Sequence, residues 1–410
     1  MIFSKKIIKN TSWLFVSQII TKILSLLFVV YLGRTLLIAD FGRFNLANAF
    51  VSIFGIIADF GFNLFIVREI SRSKDKIGEY LGSIIPFKLL LSIAAVVLMY
   101  VTAVVMRYDN LTLMAIMLFG VYYILLSFSM FFRTVFLANE IMEYESIFAV
   151  LDKLMVFVLG IAVLIEGKGI LWVAGVYSLV ETVIFIMSVI LLLRKFPGIR
   201  FTFSYKTLSY SVKQSFIFFL LNILIMIFLY VDSLMLSKMK DETAVGLYNA
   251  AYNLVYNLRF LVTPLINAIF PAMALSAVKN TEELFAMSRN VRKALIFLGL
   301  GISIIGVMFS SQIIILLYGL KYEASVPAFA ILITAIPFIY LNGFYGYLLT
   351  AVNKQKSILY ILSLGCTVNI ILNFIFIPKY GFIGASIITL ISEVLCFVLY
   401  YGKMSRMGFK

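Results

Sequence analysis

Gly42-Arg43-Phe44-Asn45-Leu46-Ala47 and Gly246-Leu247-Tyr248-Asn249-Ala250-Ala251 are one signature, G-x-[FY]-N-x-A, written twice 204 positions apart in a chain of 410 residues. Two further residues return at a similar offset. Gly169 and Glu181 are matched by Gly381 and Glu393, both 212 positions on, and Asn139 is matched more weakly by Asn353. Self-similarity at half the chain length means two copies of one structural unit. Each copy of the signature follows a long apolar segment, which shows what that unit is made of.

Of the 410 residues, 63% are hydrophobic and 13% are charged, none is histidine, and mean hydropathy is +1.07. Twelve membrane spans of about 20 residues need roughly 240 apolar positions, and the composition supplies about that number. The remainder is too small to clothe a soluble globule of this size. Without histidine there is no Ser-His-Asp triad, no HExxH zinc site and no haem-type ligation. Cys366 and Cys396 both lie in apolar segments and form neither a disulfide framework nor a CxxC site. There is also no GxxxxGK[ST] loop, the nearest fragment being Gly167-Lys168-Gly169. Intrinsic ATP hydrolysis and these enzyme classes are excluded, and no cofactor is expected.

Hydropathy gives twelve spans, near 10–32, 44–67, 80–106, 111–132, 146–165, 169–193, 214–237, 244–278, 294–318, 326–352, 357–378 and 382–402. The first follows Lys5, Lys6 and Lys9 with no small-x-small cleavage site, and reads as an uncleaved anchor. Six spans per half is an even number, so both halves enter the bilayer from the same side. The fold expected is an all-α polytopic membrane protein: two parallel six-helix repeats around a central cleft, with lobes over 1–200 and 201–410.

Placing both termini in the cytoplasm puts 22 Lys and Arg in cytoplasmic loops and 8 in outer ones. This bias satisfies the positive-inside rule for a cell-membrane protein. It also explains the net charge of +15 by contact with anionic lipid, without nucleic acid. No outer loop exceeds about a dozen residues, which disfavours a membrane glycosyltransferase or polymerase with an external catalytic loop. The cytoplasmic stretch 279–293 opens Asn280-Thr281-Glu282-Glu283, a capping pattern that predicts a short surface helix.

Several stretches carry a family likeness. Tyr31-Leu32-Gly33-Arg34 through Asp40-Phe41-Gly42-Arg43-Phe44 is followed by Ala58-Asp59-Phe60-Gly61-Phe62-Asn63 and Val67-Arg68-Glu69-Ile70. Together they resemble the opening of polysaccharide and oligosaccharide flippases, the Wzx-like branch of the multidrug/oligosaccharidyl-lipid/polysaccharide exporter superfamily. Tyr230-Val231-Asp232 and the segment Val245–Tyr252 resemble the matching part of the second half. The resemblance implies a transporter, not an enzyme. It would flip a polyprenyl-(pyro)phosphate-linked oligosaccharide by alternating access, with an ion gradient or membrane potential biasing the cycle. A cation-coupled multidrug exporter of the same superfamily is the alternative.

Ionisable residues within spans are costly, about 2.5–3.5 kcal/mol each, and mark functional candidates. Lys22, Lys88 and Lys153 all fall in the first six spans, where they form a cationic zone suited to a lipid pyrophosphate. Pairing with Asp59, Asp152 and Glu181 as structural glue is the competing reading. Span 2 carries Asn45, Asn48, Ser52, Asp59 and Asn63 near one helical face. Span 8 repeats a Tyr-Asn pair every four residues: Tyr248-Asn249, Tyr252-Asn253 and Tyr256-Asn257. Tyrosine faces stack on sugar CH groups and amides meet hydroxyls, so Asn45, Asn48, Asp59, Tyr252, Asn253, Tyr256 and Asn257 are substrate candidates. Interhelical hydrogen bonding is the alternative for them. Arg259 is a second phosphate candidate.

In the second half, Asp232, Asn369, Asn373, Thr389 and Glu393 fall in one depth band, and all offer oxygen ligands for a hard cation. The resemblance to sodium-coupled lipid II flippases makes Asp232, Asn369, Asn373 and Thr389 the candidate Na+ site, although span 11 holds asparagine where a second carboxylate is expected. Glu393 is then a compensating ligand or a proton carrier. Pro264 and Pro271 interrupt the eighth span, and Pro337 with Gly343 and Gly346 the tenth, as hinges or static kinks. The expected partners are the lipid-linked oligosaccharide and membrane lipid, and the chain is expected to act as a monomer.

Overall fold

The computed structural model describes residues 5–279 and 281–409. Among these the chain is helical throughout, with no strand. The helices are α1 (Lys5–Thr35), α2 (Ile38–Asp59), α3 (Phe62–Arg72), α4 (Ile77–Val105), α5 (Asn110–Ala138), α6 (Met142–Ile165), α7 (Ile170–Lys195) and α8 (Tyr205–Met239). They continue with α9 (Glu242–Asn257), α10 (Thr263–Lys279), α11 (Thr281–Met308), α12 (Ser310–Tyr318), α13 (Val326–Ile333), α14 (Ile336–Ala351) and α15 (Gln355–Arg406). Nine helices among the described residues are long and apolar enough to cross a membrane, and the pair bent by 46° at residues 334–335 makes a tenth. The chain is an all-α, multi-pass membrane protein.

The expected spans differ from the helices mainly where helices break. The eighth expected span divides into α9, a 3-10 turn at Leu258–Leu261, and α10. Its interruption therefore precedes Pro264, which sits in the first turn of α10, where a missing N–H costs nothing. Pro337 likewise opens α14, just after the bend, and does not kink a continuous helix. α15 is two helices joined at Gly381, where φ is 58° and ψ −137°. The short surface helix expected after residue 279 is the beginning of α11, which runs on unbroken to Met308. The Asn280 cap that was to start it lies outside the described residues.

Contacts divide the chain into two units: residues up to Leu36 with Leu46–Met226, and Leu37–Asn45 with Ile227–Lys410. In the first, Phe62, Phe65 and Ile66 of α3 pack on Leu81 and Ile84 of α4 and on Phe131, Val135 and Phe136 of α5, all fully buried. α2 gives way to α3 through Phe60 (φ 49°) and Gly61 (φ 75°). Residues 200–204 stay with this unit because they run along the start of α4. The Thr202 amide donates to the Gly78 carbonyl (3.4 Å) and the Ser204 amide to Ser83 Oγ (3.0 Å).

In the second unit the repeat signature explains itself. The first residues of α2 cross α9 so closely that a Cβ on Gly42 would strike the Glu242 carbonyl, and one on Gly246 would strike the Ile38 carbonyl. Ile38 and Glu242 are themselves 204 apart. Each signature glycine thus sits on the backbone four residues before its counterpart. Asp241 caps α9, its Oδ1 accepting from the Ala244 amide at 2.7 Å. Phe41 packs on the fully buried Tyr318 and Tyr322, with ring centroids 5.9 and 6.0 Å away. The weak third match shifts by one residue. The left-handed turn positions are Glu140 (φ 59°) and Asn353 (φ 57°), so Asn353 corresponds structurally to Glu140, not Asn139.

Candidate functional site

Asp232 on α8 is 2% exposed and is the hub of a polar cluster inside the second unit. Its Oδ2 accepts from Tyr248 Oη of α9 at 2.8 Å and from Thr389 Oγ1 of α15 at 2.7 Å. Its Oδ1 accepts from Asn373 Nδ2, also of α15, at 2.6 Å. Asn373 Nδ2 also reaches Asn369 Oδ1 at 3.0 Å, and Asn369 Nδ2 reaches Ser392 Oγ at 3.3 Å. The four residues read as an ion site are therefore neighbours in space, drawn from α8 and from both limbs of α15.

Every donor to Asp232 is neutral. Asn373 Oδ1 is buried and has no hydrogen-bond partner among the described residues. A buried acceptor left unmet is costly, and this one belongs to a residue already bonded to the carboxylate. Asp232, the two amide oxygens, Thr389 and the Tyr248 hydroxyl make an all-oxygen donor set with a single formal negative charge. That chemistry fits a hard monovalent cation. No three His, Cys, Asp or Glu side chains gather as a metal site among the described residues.

Tyr248 was missed as a member of this cluster, yet its signal was in the signature: the first copy has Phe44 where the second has Tyr248. The hydroxyl is the difference, and it bonds Asp232. From Tyr248 a ladder of rings runs along α9. Tyr248 stacks on Tyr252 (5.3 Å between centroids) and Tyr252 on Tyr256 (5.9 Å), each pair 17° from parallel. The Arg259 guanidinium lies 5.3 Å over the Tyr256 ring. Tyr252, Tyr256, Arg259, Thr389 and Glu393 line one small cavity. Glu393 there accepts from Asn342 Nδ2 at 2.7 Å.

The amides expected to face sugar are used differently. Asn253 Nδ2 donates to Asn45 Oδ1 at 2.9 Å, while Asn45 Nδ2 donates to the Phe41 carbonyl at 2.8 Å. Asn257 bonds back to the Asn253 carbonyl. These bonds tie the asparagines to their own and neighbouring helices, while Tyr252 and Tyr256, half-buried like Asn253 and Asn257, stack on one another. Asn48 is half-buried on α2.

In the first unit Lys88 is fully buried. Its Nζ donates to the Ala58 carbonyl (2.9 Å) and Ser127 Oγ (2.6 Å), lies 4.0 Å from Asp59 Oδ1, and sits over the Phe128 and Phe131 rings. Asp59 Oδ2 accepts from the Gly61 amide at 3.2 Å. Lys88 and Asp59 thus hold the α2–α3 break from both sides. Lys153 pairs with Asp152 at 2.8 Å. Lys22 is exposed on α1, as is Gln18 one turn before it.

The family model described as "Polysaccharide biosynthesis protein" matches residues 7–276. The chain belongs to this family. It is 24% identical over 393 residues to a protein assigned as an O-antigen transporter in Escherichia coli K12, covering 94% of each chain. An uncharacterised membrane protein of Methanocaldococcus jannaschii is also 24% identical, over 95% of this chain and 82% of its own. Among solved structures, the lipid II flippase MurJ in an inward closed conformation superposes with a TM-score of 0.76 at 17% identity, covering 97% of this chain and 87% of that one. An inward-facing multidrug resistance MATE family transporter gives 0.77 at 14% identity, covering 95% of both. The chain is thus a multi-pass membrane member of the polysaccharide biosynthesis protein family, with the fold seen in these solved transporters.

Proposed function

We propose that the chain flips a polyprenyl-(pyro)phosphate-linked oligosaccharide from the cytoplasmic to the outer leaflet of the cell membrane, as a monomer with both termini inside, coupled to sodium at Asp232. The observation that carries this reading is the ladder that begins on the Asp232 carboxylate and ends under the Arg259 guanidinium. Parallel tyrosine faces suit pyranose rings, and a guanidinium suits a phosphate oxygen pair. Sharing of Thr389 between the carboxylate and the ladder's cavity joins the two ends.

Bound sodium would supply one positive charge at Asp232 and, on crossing, about 2.3 kcal/mol per 100 mV of membrane potential. Asp232 provides the countercharge. Asn373, whose Oδ1 has no partner, supplies an oxygen when its amide turns over, and Asn369 loses its present donor in the same rotation. Tyr248, freed from the carboxylate, shifts the ring stacked upon it. Ion occupancy would thereby reach Tyr252, Tyr256 and Arg259 through contacts already made.

The test is a proteoliposome assay with a fluorescent polyprenyl-pyrophosphate oligosaccharide, in which sugar exposure to an added outside reagent is followed with and without a sodium gradient. Protein-dependent exposure that sodium accelerates, and that Asp232→Asn renders indifferent to sodium, is the expected result. Exposure indifferent to sodium in the unaltered protein overturns the coupling and keeps the flippase. No exposure with folded protein and several carriers overturns the substrate class in favour of the exporter reading.

A further inference from the structure

The two limbs of α15 form an antiparallel hairpin with its apex at Gly381, as the close approach of Gly365 to Cys396 Sγ requires. At the hairpin's open end the limbs part around a groove of about 550 Å³. Three cations line its mouth: Lys356 from the first limb, and Lys403 and Arg406 from the second. No carboxylate lines it among the described residues. None of the three cations has an ion-pair partner among the described residues.

The groove changes character with depth. Lys356 and Arg406 each lie 25 residues from Gly381, roughly 38 Å at helical rise, which places them at headgroup level when the apex reaches the other face. One to two turns deeper the walls become apolar: Tyr360 and Ile361 on one limb, Val398 and Leu399 on the other. Tyr360 and Val398 are 68% and 56% exposed. Between charged mouth and apolar throat the wall is Gly402, and a Cβ built there meets nothing within 4 Å. A cationic mouth over an apolar throat has the chemistry of one anionic lipid, phosphate outward and acyl chain inward.

We infer that this groove is a binding site for a resident anionic phospholipid of the bilayer, separate from the transport site at Asp232 and Arg259. Snorkelling lysines at helix ends are common, but they need neither a cavity nor exclusion of carboxylates from it. The occupant is bulk phospholipid and not the sugar carrier, because a groove open at headgroup level is filled by the lipid in greatest supply.

The experiment uses the full chain purified from bilayers of phosphatidylglycerol and phosphatidylcholine, with retained lipid counted by mass spectrometry. One phosphatidylglycerol per chain is expected, preferred about tenfold or more over phosphatidylcholine. Each cation near a lipid surface is worth about a fivefold effect, so the triple variant Lys356→Gln, Lys403→Gln, Arg406→Gln removes the preference. Gly402→Leu fills open space and is expected to abolish retention at an unchanged unfolding temperature, a control that stands even where the triple variant fails to fold. Equal retention of both lipids, or retention unaffected by Gly402→Leu, overturns the site. Displacement of phosphatidylglycerol by equimolar polyprenyl phosphate overturns the assignment to bulk lipid. Displacement by millimolar inorganic phosphate overturns the lipid itself as the ligand.

Discussion

Two carboxylates on membrane helices, Asp59 in the first unit and Asp232 in the second, are held in opposite ways. Asp59 faces Lys88 at 4.0 Å, and that lysine is itself bonded to a carbonyl and a serine and enclosed by two phenylalanines. Asp232 has three hydrogen-bond donors and every one is neutral. The first charge is met by a lysine of the chain, with Asp59 Oδ1 accepting no hydrogen bond among the described residues. The second is buried with no cation of the chain beside it, at a cost that a bound cation or a proton would relieve. A buried charge marks a site when its compensation is missing, and marks scaffold when its compensation is built in.

The largest expected effect breaks the first arrangement. Lys88→Met leaves Asp59 without its cation and the Ala58 carbonyl without its donor, and is expected to destabilise the protein by about 3–5 kcal/mol. Adding Asp59→Asn should recover most of that loss, because removing both partners of a buried pair is often near neutral. Thermal unfolding in detergent reads both. A single variant as stable as the unaltered protein would return Lys88 to the list of substrate contacts.

Asp232→Asn should have the opposite sign. In sodium-free buffer it removes an uncompensated charge while hydroxyls of Thr389 and Tyr248 reorient, so stability is expected to hold or rise by about 1 kcal/mol. The unaltered protein should be stabilised by added sodium, and this variant should not. Destabilisation like that of Lys88→Met would show the two carboxylates to be the same kind of scaffold.

What the sequence made legible divides along the same line. Periodicity and hydropathy carried the helices and the repeat, because burial in lipid leaves a twenty-residue mark on composition. Depth counted along helices brought Asp232, Asn369, Asn373 and Thr389 to one level, and hydrogen bonds now join them. Counting along a helix gives height but not azimuth. Lys88 and Asp59 were legible as a possible pair, yet whether they faced lumen or core was not. The same limit hid Asn45 and Asn253, which lie on polar faces and turn out to face each other. The helix breaks were misplaced where proline was taken as their cause, since Pro264 and Pro337 follow breaks they did not make. The signature glycines were legible as a repeat, but that each rests on the other's partner carbonyl needed coordinates.

Tyr248→Phe restores in the second copy the side-chain type of Phe44 in the first, and so probes the difference between them directly. It removes one hydroxyl from Asp232 and keeps the ring stack on Tyr252. The loss expected falls on sodium binding, about 1–2 kcal/mol for a bond to a charged group. If the hydroxyl belongs to the ion's surroundings, the sodium concentration for half-maximal stabilisation should move about tenfold while unfolding without sodium changes little. Movement of the sodium-free unfolding temperature alone would confine Tyr248 to packing.

The smallest effect lies where the two copies touch inside the second unit. Asn45→Ala and Asn253→Ala each remove one partner of the 2.9 Å amide pair. Interhelical polar bonds in membranes average about 0.6 kcal/mol, so the double-mutant cycle should return a coupling of that order, read from unfolding midpoints. Flipping rates for sugar carriers should change little, because the amides face each other while the rings of Tyr252 and Tyr256 remain in place. A coupling near zero together with a large loss of transport would reverse the assignment, making both asparagines contacts of the cargo and the observed pair a resting arrangement. The cycle therefore decides whether polar side chains on α9 divide their labour, amides for the helix crossing and tyrosines for the ligand.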